Sequence, residues 1–409
     1  MQFRTVKKNG DSLSVLGFGC MRLPMRGHKI DEATATRQVR RAIELGVNYI
    51  DTALPYHNGA SEPFVGRALA GGYRDRVRIA TKLPPWCVDT REDMGKILDA
   101  QLARLRTDHI DYYLLHSLDA GIWSRLNTLG VLEFVEESIA AGKIINAGFS
   151  FHGDRDAFKT IVDAYGWTFC MIQFNYLDEY NQAGIEGLRY AAARDMAVMV
   201  MEPLRGGHLA GRVPESVQRL WDESPARRSA ADWALRWVLN HGEVTTVLSG
   251  MNVDSHIEEN IAVASEAGAN ELNDEELRLV GRVKEEYRRL LPVDCTGCRY
   301  CMPCPAGVDI PTCFEYYNNA GLFRDKLTQR ALYLGRLGGI VNDQTQLASL
   351  CVRCGKCLDR CPQHLPIPDL LEDVARHFET RLMKPLAWLG RRYMAFQRWS
   401  TLRSGRRLK

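Results

Sequence analysis

Short apolar runs recur through the first two-thirds of the chain, at residues 15–19, 48–51, 78–82, 112–116, 145–149, 171–174, 197–201 and 246–249. Each is short enough, and rich enough in β-branched and aromatic residues, to predict a buried strand. Between them apolar positions return every three or four residues, which predicts helices over 31–45, 89–105, 131–141, 154–164 and 230–240. Three of these open on an aspartate able to cap the first turn: Asp31, Asp89 and Asp154. Ahead of them, Phe3-Arg4-Thr5 and Ser12-Leu13-Ser14 flank Asn9-Gly10 and read as a hairpin. Eight strand-then-helix units in roughly 270 residues match the count and size of a (β/α)₈ TIM barrel. An open, doubly wound sheet would need a glycine-rich phosphate turn near the start. Gly17-Phe18-Gly19 is too short for one and lacks the third glycine.

The pattern then changes. Charged positions dominate 273–289, which predicts an exposed or docking helix, and Pro292 ends it. Beyond lie Cys, Pro and Gly with few long apolar runs, so a domain boundary is expected near residue 291. The organisation expected is a barrel at 1–290, a small, mostly helical domain at 291–372 with a helical insert over about 310–350, and a tail at 373–409. In the tail, Leu382, Leu386, Leu389, Tyr393 and Phe396 recur at spacings of four and three among Lys384, Arg391, Arg392 and Arg398. That is a basic amphipathic helix. It is expected to pack on its own protein, with an acidic redox partner or an anionic membrane surface as the alternatives. No nucleic-acid-binding module accompanies the charge.

Composition narrows the class. At 45% hydrophobic and 25% charged residues the chain is that of an ordinary globular protein. No run is long and apolar enough to span a membrane, and MQFRTVKKNG lacks the apolar core of a signal peptide, so a cytoplasmic location is expected. Charge is uneven: residues 373–409 hold ten Lys or Arg against two acids, about +8 of a whole-chain +3. Cysteine is uneven too, with nine of twelve beyond residue 294. So dense a set in a cytosolic chain argues for metal rather than disulfides.

Cys351, Cys354, Cys357 and Cys361-Pro362 have the C-x₂-C-x₂-C-x₃-C-P spacing of a bacterial ferredoxin motif. Zinc sites more often use two C-x₂-C pairs. Upstream, Cys295, Cys298, Cys301 and Cys304-Pro305 repeat the pattern with one residue fewer before the last cysteine. In two-cluster ferredoxins the fourth cysteine of each run ligates the other cluster. Carried over by position, Cys295, Cys298, Cys301 and Cys361 would hold one [4Fe-4S] cluster, and Cys351, Cys354, Cys357 and Cys304 the second. Cys313 is a spare for Cys304, and one cluster is the alternative to two. Cys20, Cys87 and Cys170 have no partner spacing and read as buried thiols.

Three predicted strands end in reactive groups, Asp51, Lys82 and His116, and Tyr56 follows the first at loop distance. In a barrel of parallel strands these would share one face, the face where chemistry is built. Asp51-Thr52-Ala53-Leu54-Pro55-Tyr56, Ser61-Glu62, Lys82 and His116 together resemble the catalytic tetrad of the aldo/keto reductases, over about residues 1–290. Further segments extend the resemblance. Gly148-Phe149-Ser150 is similar to the family's GxS turn after the fifth strand. Gln173-Phe174-Asn175-Tyr176 is similar to the segment beside the nicotinamide carboxamide. Ser249-Gly250 through Glu259-Asn260 is similar to the segment holding the adenosine half of the cofactor. With the cysteine domain, the chain resembles the family's iron–sulfur branch.

The resemblance implies reduction of an aldehyde or ketone by hydride from NADPH or NADH. Tyr56 would donate the proton, and Lys82 would tune it by lowering its pKa. Asp51 would aim Lys82, and His116 would orient the substrate oxygen. Residues 250–256 carry no Lys or Arg and do carry Asp254, which leaves NAD and NADP both open. The loops 84–88, 118–129 and 206–213 would select the substrate, with Trp86 and Trp123 as pocket or packing residues. An electron-transfer protein whose barrel only docks or senses nicotinamide is the alternative reading.

Overall fold

A computed structural model describes residues 1–211, 213–295, 297, 299–341, 344–361, 363–380 and 383–404. The chain opens with a hairpin, β1 (Phe3–Thr5) and β2 (Ser12–Ser14), in register Phe3 to Ser14. Strand β3 (Leu16–Gly19) follows, then a second small hairpin, β4 (Met25–Arg26) and β5 (Lys29–Ile30). Next come α1 (Glu32–Glu44), β6 (Tyr49–Asp51), α2 (Ser61–Ala68), β7 (Arg78–Leu83), α3 (Arg91–Leu105) and β8 (Ile110–Leu118). Helices α4 (Ala120–Thr128) and α5 (Val131–Ala140) precede β9 (Ile144–Phe151), α6 (Arg155–Asp163), β10 (Phe169–Gln173), α7 (Gly184–Ala192) and β11 (Ala197–Met201). The series closes with α8 (His208–Gly211), α9 (Glu215–Asp222), α10 (Ala230–Leu239), β12 (Val244–Ser249), α11 (Asp254–Glu266) and α12 (Asp274–Arg289). Strands β3 and β6 to β12 form a closed parallel barrel, as the strand-helix alternation predicts.

Alternation along the strands decides what fills it. Tyr49, Ala80, Tyr112, Leu114, Phe169, Met171, Ala197, Met199 and Leu248 form one buried cluster inside the barrel, joined by Val6 and Leu13 of the first hairpin. Tyr112 meets Tyr49 and Phe169 edge-on at centroid distances of 5.5 and 5.0 Å. The hairpin thus plugs one end of the barrel. Two strand glycines make room for these rings: a Cβ at Gly148 would lie 2.5 Å from the Phe169 carbonyl oxygen, and one at Gly17 would lie 2.8 Å from Leu248.

Asp31 and Asp154 cap α1 and α6 as expected. Asp89 does not cap α3. That helix starts later, and Asp93 accepts from the backbone N–H of Asp89 and Thr90 instead. Residues 118–129 are not a loop: Leu118 ends β8, and Asp119 caps α4 by accepting from Ile122 N at 2.8 Å.

The chain divides into two compact units, Met1–Val280 with Ser400–Lys409, and Gly281–Trp399, so the division falls within α12. The second contains α13 (Ile310–Leu322), α14 (Lys326–Leu337) and α15 (Ile367–Phe378), the first two within the expected helical insert. Helix α16 (Met383–Ser404) carries the expected amphipathic stretch, of which Leu382 lies outside the described residues. Val308, Ile310, Phe314, Tyr333, Leu337, Leu371, Val374 and Phe378 are central to this unit's core.

Candidate functional site

Period two carries the chemistry to one end of the barrel. Tyr49, Ala80 and Leu114 point inward, so Asp51, Lys82 and His116, two residues further on, point inward at the strand ends. Lys82 Nζ donates to Asp51 Oδ1 at 2.8 Å, to Asp51 Oδ2 at 2.7 Å and to the Thr52 carbonyl at 2.9 Å. Tyr56 reaches the same nitrogen with its hydroxyl at 3.4 Å. Lys82 is only 1% exposed, a position an ammonium occupies only when paired. His116 is buried and lies 5.2 Å, ring to ring, from Trp86. Its Nδ1 and the Trp86 Nε1 are buried without hydrogen-bond partners among the described residues. Trp123 instead packs edge-on against Trp167 at 6.2 Å, so of the two tryptophans only Trp86 adjoins the tetrad.

Burial sets the electrostatics. It works against the Lys82 ammonium, but Asp51 and Tyr56 outweigh it and hold Lys82 above its usual pKa. The Asp51 carboxyl is pushed up by burial while Lys82 pulls it back. Tyr56 is pushed up to about 12 by burial, despite the downward pull of Lys82. The net lowering expected from the ammonium is therefore reversed, because loss of water outweighs the neighbouring charge. Burial, and then Lys82, hold His116 well below the ordinary imidazole value, so it is neutral at pH 7.

The outward residues of the same strands anchor the site. Thr81 donates to Glu62 Oε1 at 2.7 Å, and Gln101 bridges Glu62 at 2.7 Å and the Lys82 carbonyl at 2.9 Å. Arg104 pairs with the fully buried Glu62 at 2.7 Å. Ser61 and Thr52 share a 2.8 Å hydrogen bond. Apart from Thr52, Ser61 and Glu62, these supports had no sequence signal, since α3 meets α2 only in the fold.

The candidate cofactor residues separate into two groups. Ser150 and Gln173 share the inward phase of Gly148 and Phe169 at the tetrad end. Ser150 Oγ accepts from Ser117 N at 2.8 Å, and Gly148-Phe149-Ser150 lies inside β9 rather than in a turn after it. Gln173 and Asn175 both donate to Asp178 Oδ2, at 3.2 and 2.9 Å, and Asp178 pairs with Arg205 at 3.1 Å. Ser249 and Asn260 instead bond each other at 2.9 Å between β12 and α11, and Glu259 accepts from the Ser229 hydroxyl. Asp254 is offset by Arg37 at 2.8 Å and Gln38 at 2.9 Å. A cation that the sequence reading missed also reaches this end. Arg22, after β3, lies against Gly250, where a Cβ would be 3.1 Å from its own Cβ, and its guanidinium is 3.0 Å from the Cβ position of Gly206.

In the second unit, no disulfide joins the described cysteines. Cys295, Cys301 and Cys361 line one small cavity with Arg299, Ile310 and Phe314. Cys298, assigned with them, lies outside the described residues. Burial pushes the Cys357 thiol up, and Cys351, Cys354 and Cys304 lie near enough to act on it electrostatically. Each grouping takes its fourth cysteine from the other run. Thiols gathered this closely would be held together by positive charge among them, and iron would supply it. Among the described residues, no three Cys, His, Asp or Glu side chains are placed to hold a single metal ion. Cys313 is buried in the core of the unit, within α13. Cys20, Cys87 and Cys170 are buried as expected. No helix among the described residues is long and apolar enough to cross a membrane.

Comparison with known proteins agrees with both halves. The aldo/keto reductase family model matches residues 15–284, and a 4Fe-4S dicluster domain matches 294–365. Methylglyoxal reductase YeaE of Escherichia coli is 30% identical over 272 residues, covering 64% of this chain and 90% of that protein. L-galactose dehydrogenase of Arabidopsis thaliana is 24% identical over 312 residues, covering 71% and 96%. Among solved structures, the holo form of aldo-keto reductase AKR11C1 from Bacillus halodurans superposes with a TM-score of 0.58 at 28% identity, covering 69% of this chain and 96% of that one. A Klebsiella pneumoniae aldo-keto reductase in complex with NADPH shares the fold, with a TM-score of 0.56 at 24% identity and the same coverage. The chain, with a closed barrel that brings these four groups to one end and with two cysteine runs later in its sequence, therefore belongs to the aldo/keto reductase family of oxidoreductases and carries a 4Fe-4S dicluster domain.

Proposed function

We propose that this chain reduces an aldehyde or ketone using NADPH or NADH, with Tyr56 as proton donor. The observation that carries this is the buried Lys82 ammonium, fixed by three hydrogen bonds and facing the Tyr56 hydroxyl at 3.4 Å. Nicotinamide, when bound, supplies the hydride. Ser150 and Gln173 stand at the tetrad end and would hold its carboxamide side. Arg22 supplies a permanent cation for the nucleotide's phosphates, which residues 250–256 lack.

Hydride arrival at the carbonyl carbon leaves negative charge on oxygen, and the chain's task is to meet it with a proton. A phenol with a pKa of about 12 is fully protonated at neutral pH and is still acidic enough to protonate an alkoxide. As the proton leaves, the phenolate forms beside Lys82, whose charge stabilises it without reorganisation because Asp51 and the Thr52 carbonyl already hold it. Neutral His116 can donate a hydrogen bond to the same oxygen without competing for the proton. Trp86, beside it, would form an apolar wall with one free donor.

Two variants separate chemistry from nucleotide binding. Tyr56→Phe should lose roughly 10²–10⁴-fold in carbonyl turnover while its affinity for NADPH or NADH stays unchanged. Arg22→Ala should weaken nucleotide binding and leave turnover at saturation largely intact. Full turnover by Tyr56→Phe would remove the proposed acid.

The two cysteine groupings support a second activity, electron storage or transfer. Anaerobic NADPH or NADH that consumes a carbonyl while the iron–sulfur absorbance stays unbleached supports the reductase reading. Bleaching without carbonyl turnover would support an electron-transfer protein.

A further inference from the structure

Helix α16 is two-faced. One face packs on its own unit. A Cβ at Gly390 would lie 2.6 Å from Ile340 Cδ1, Arg391 donates to the Gly338 carbonyl at 3.4 Å, and Ala387 and Gln397 are buried. At 100° per residue these positions share one side of the helix. The opposite arc carries Leu386, Trp388, Leu389, Tyr393, Phe396 and Trp399, each 41–58% exposed. Phe396 stacks on Trp399 at 5.8 Å, and the Arg392 guanidinium sits 5.5 Å from the Trp388 ring, so cation and aromatics form one surface. Thirty residues follow the last acid, Glu379, and they contain nine Lys or Arg and no Asp or Glu.

From this we infer that α16 is an interfacial helix that lies in the headgroup region of an anionic bilayer. Tryptophan and tyrosine, amphipathic rings on an exposed face, favour the boundary between hydrocarbon and water. An apolar arc that carries Arg392, on a helix with further cations and no acid, is an arrangement that inserts shallowly and attracts anionic lipid. A discrete acidic patch on a protein would match a few of these charges. A repeated anionic surface matches nine cations spread over thirty residues with no acid among them. The inference is independent of the barrel's chemistry.

The test uses the full chain, with its clusters, sedimented with vesicles of phosphatidylcholine alone or mixed with phosphatidylglycerol. Expected is retention on the mixed vesicles only, weakened by salt. The triple variant Trp388→Ala, Phe396→Ala, Trp399→Ala should bind at least about tenfold less, and Arg392→Gln should reduce binding while leaving carbonyl turnover unchanged. Three results would each overturn the inference: no retention on anionic vesicles at low salt, equal retention of the aromatic variant, or equally tight binding to soluble polyglutamate. A dimer in sedimentation velocity that the aromatic variant abolishes, without vesicle binding, would assign the face to a second copy instead.

Discussion

Lys82 shows what a buried ion pair costs the barrel. An ammonium and a carboxylate are held out of water, and the pair persists because each satisfies the other. Lys82→Met leaves Asp51 buried without a counter-ion and should lower stability by about 3–5 kcal/mol. Adding Asp51→Leu should recover most of that loss without recovering activity. Thermal or urea unfolding of the two variants measures this, and a double variant as unstable as the single one would contradict it. His116 provides a pH signature. Its folded pKa lies below the unfolded value near 6.5, so above that pH both states are neutral and its contribution is complete. As pH falls further, the unfolded chain takes a proton that the folded one refuses, and stability is lost. His116→Asn should therefore lose less stability than the native chain on acidification, and parallel melting curves would refute this. The inward tetrad members could be read in the sequence because period two ties each to an apolar residue two positions earlier. Arg22 could not, since its neighbours Gly206 and Gly250 are brought to it only when the barrel closes.

At the level of elements, the strand glycines give the sharpest expectation. Gly148→Ala would push a methyl toward both the Phe169 carbonyl oxygen and its ring, at 2.5 and 2.6 Å. The overpacking should cost about 1–3 kcal/mol. Trimming the ring with Phe169→Leu should not remove the cost, because the nearest atom belongs to the backbone; full relief in the double variant would show that the ring alone was responsible. The strands were easy to place because parallel strands are buried on both faces and read as unbroken apolar runs. Helix starts were harder. At α3 a capping carboxylate at Asp93 lies inside the helix rather than before it. At α4 the signal was a single aspartate after a long strand, easily taken for a loop. Ser249 and Asn260 illustrate a different limit. The resemblance assigns them to a nucleotide segment, and the bond between them, from strand to helix, is a contact that no sequence pattern specifies.

For the whole molecule the open question is electrons. Hydride moves two at once, a [4Fe-4S] cluster moves one, and nothing in the sequence reads as a flavin fingerprint to divide the pair. Two clusters fit the cysteine groupings. The isolated chain should then contain about eight irons and eight sulfides, and Cys304→Ser should reduce the count toward about four if that cysteine completes the second set. A native count of four would leave one cluster. Ferredoxin spacing made both cysteine runs visible and, carried over by position, set the last cysteine of each run with the other; in the fold Cys361 lines a cavity with Cys295 and Cys301, and Cys304 lies near Cys357. The seam beneath α16 has a separate consequence. Many amphipathic segments are unstructured in solution and surrender chain entropy only when they reach a bilayer. Through Gly390 and Ile340, α16 has surrendered that entropy on its own domain already. Landing would therefore require no folding step, and the residence time would be set by ring insertion and lipid charge, short on neutral membranes and long on acidic ones.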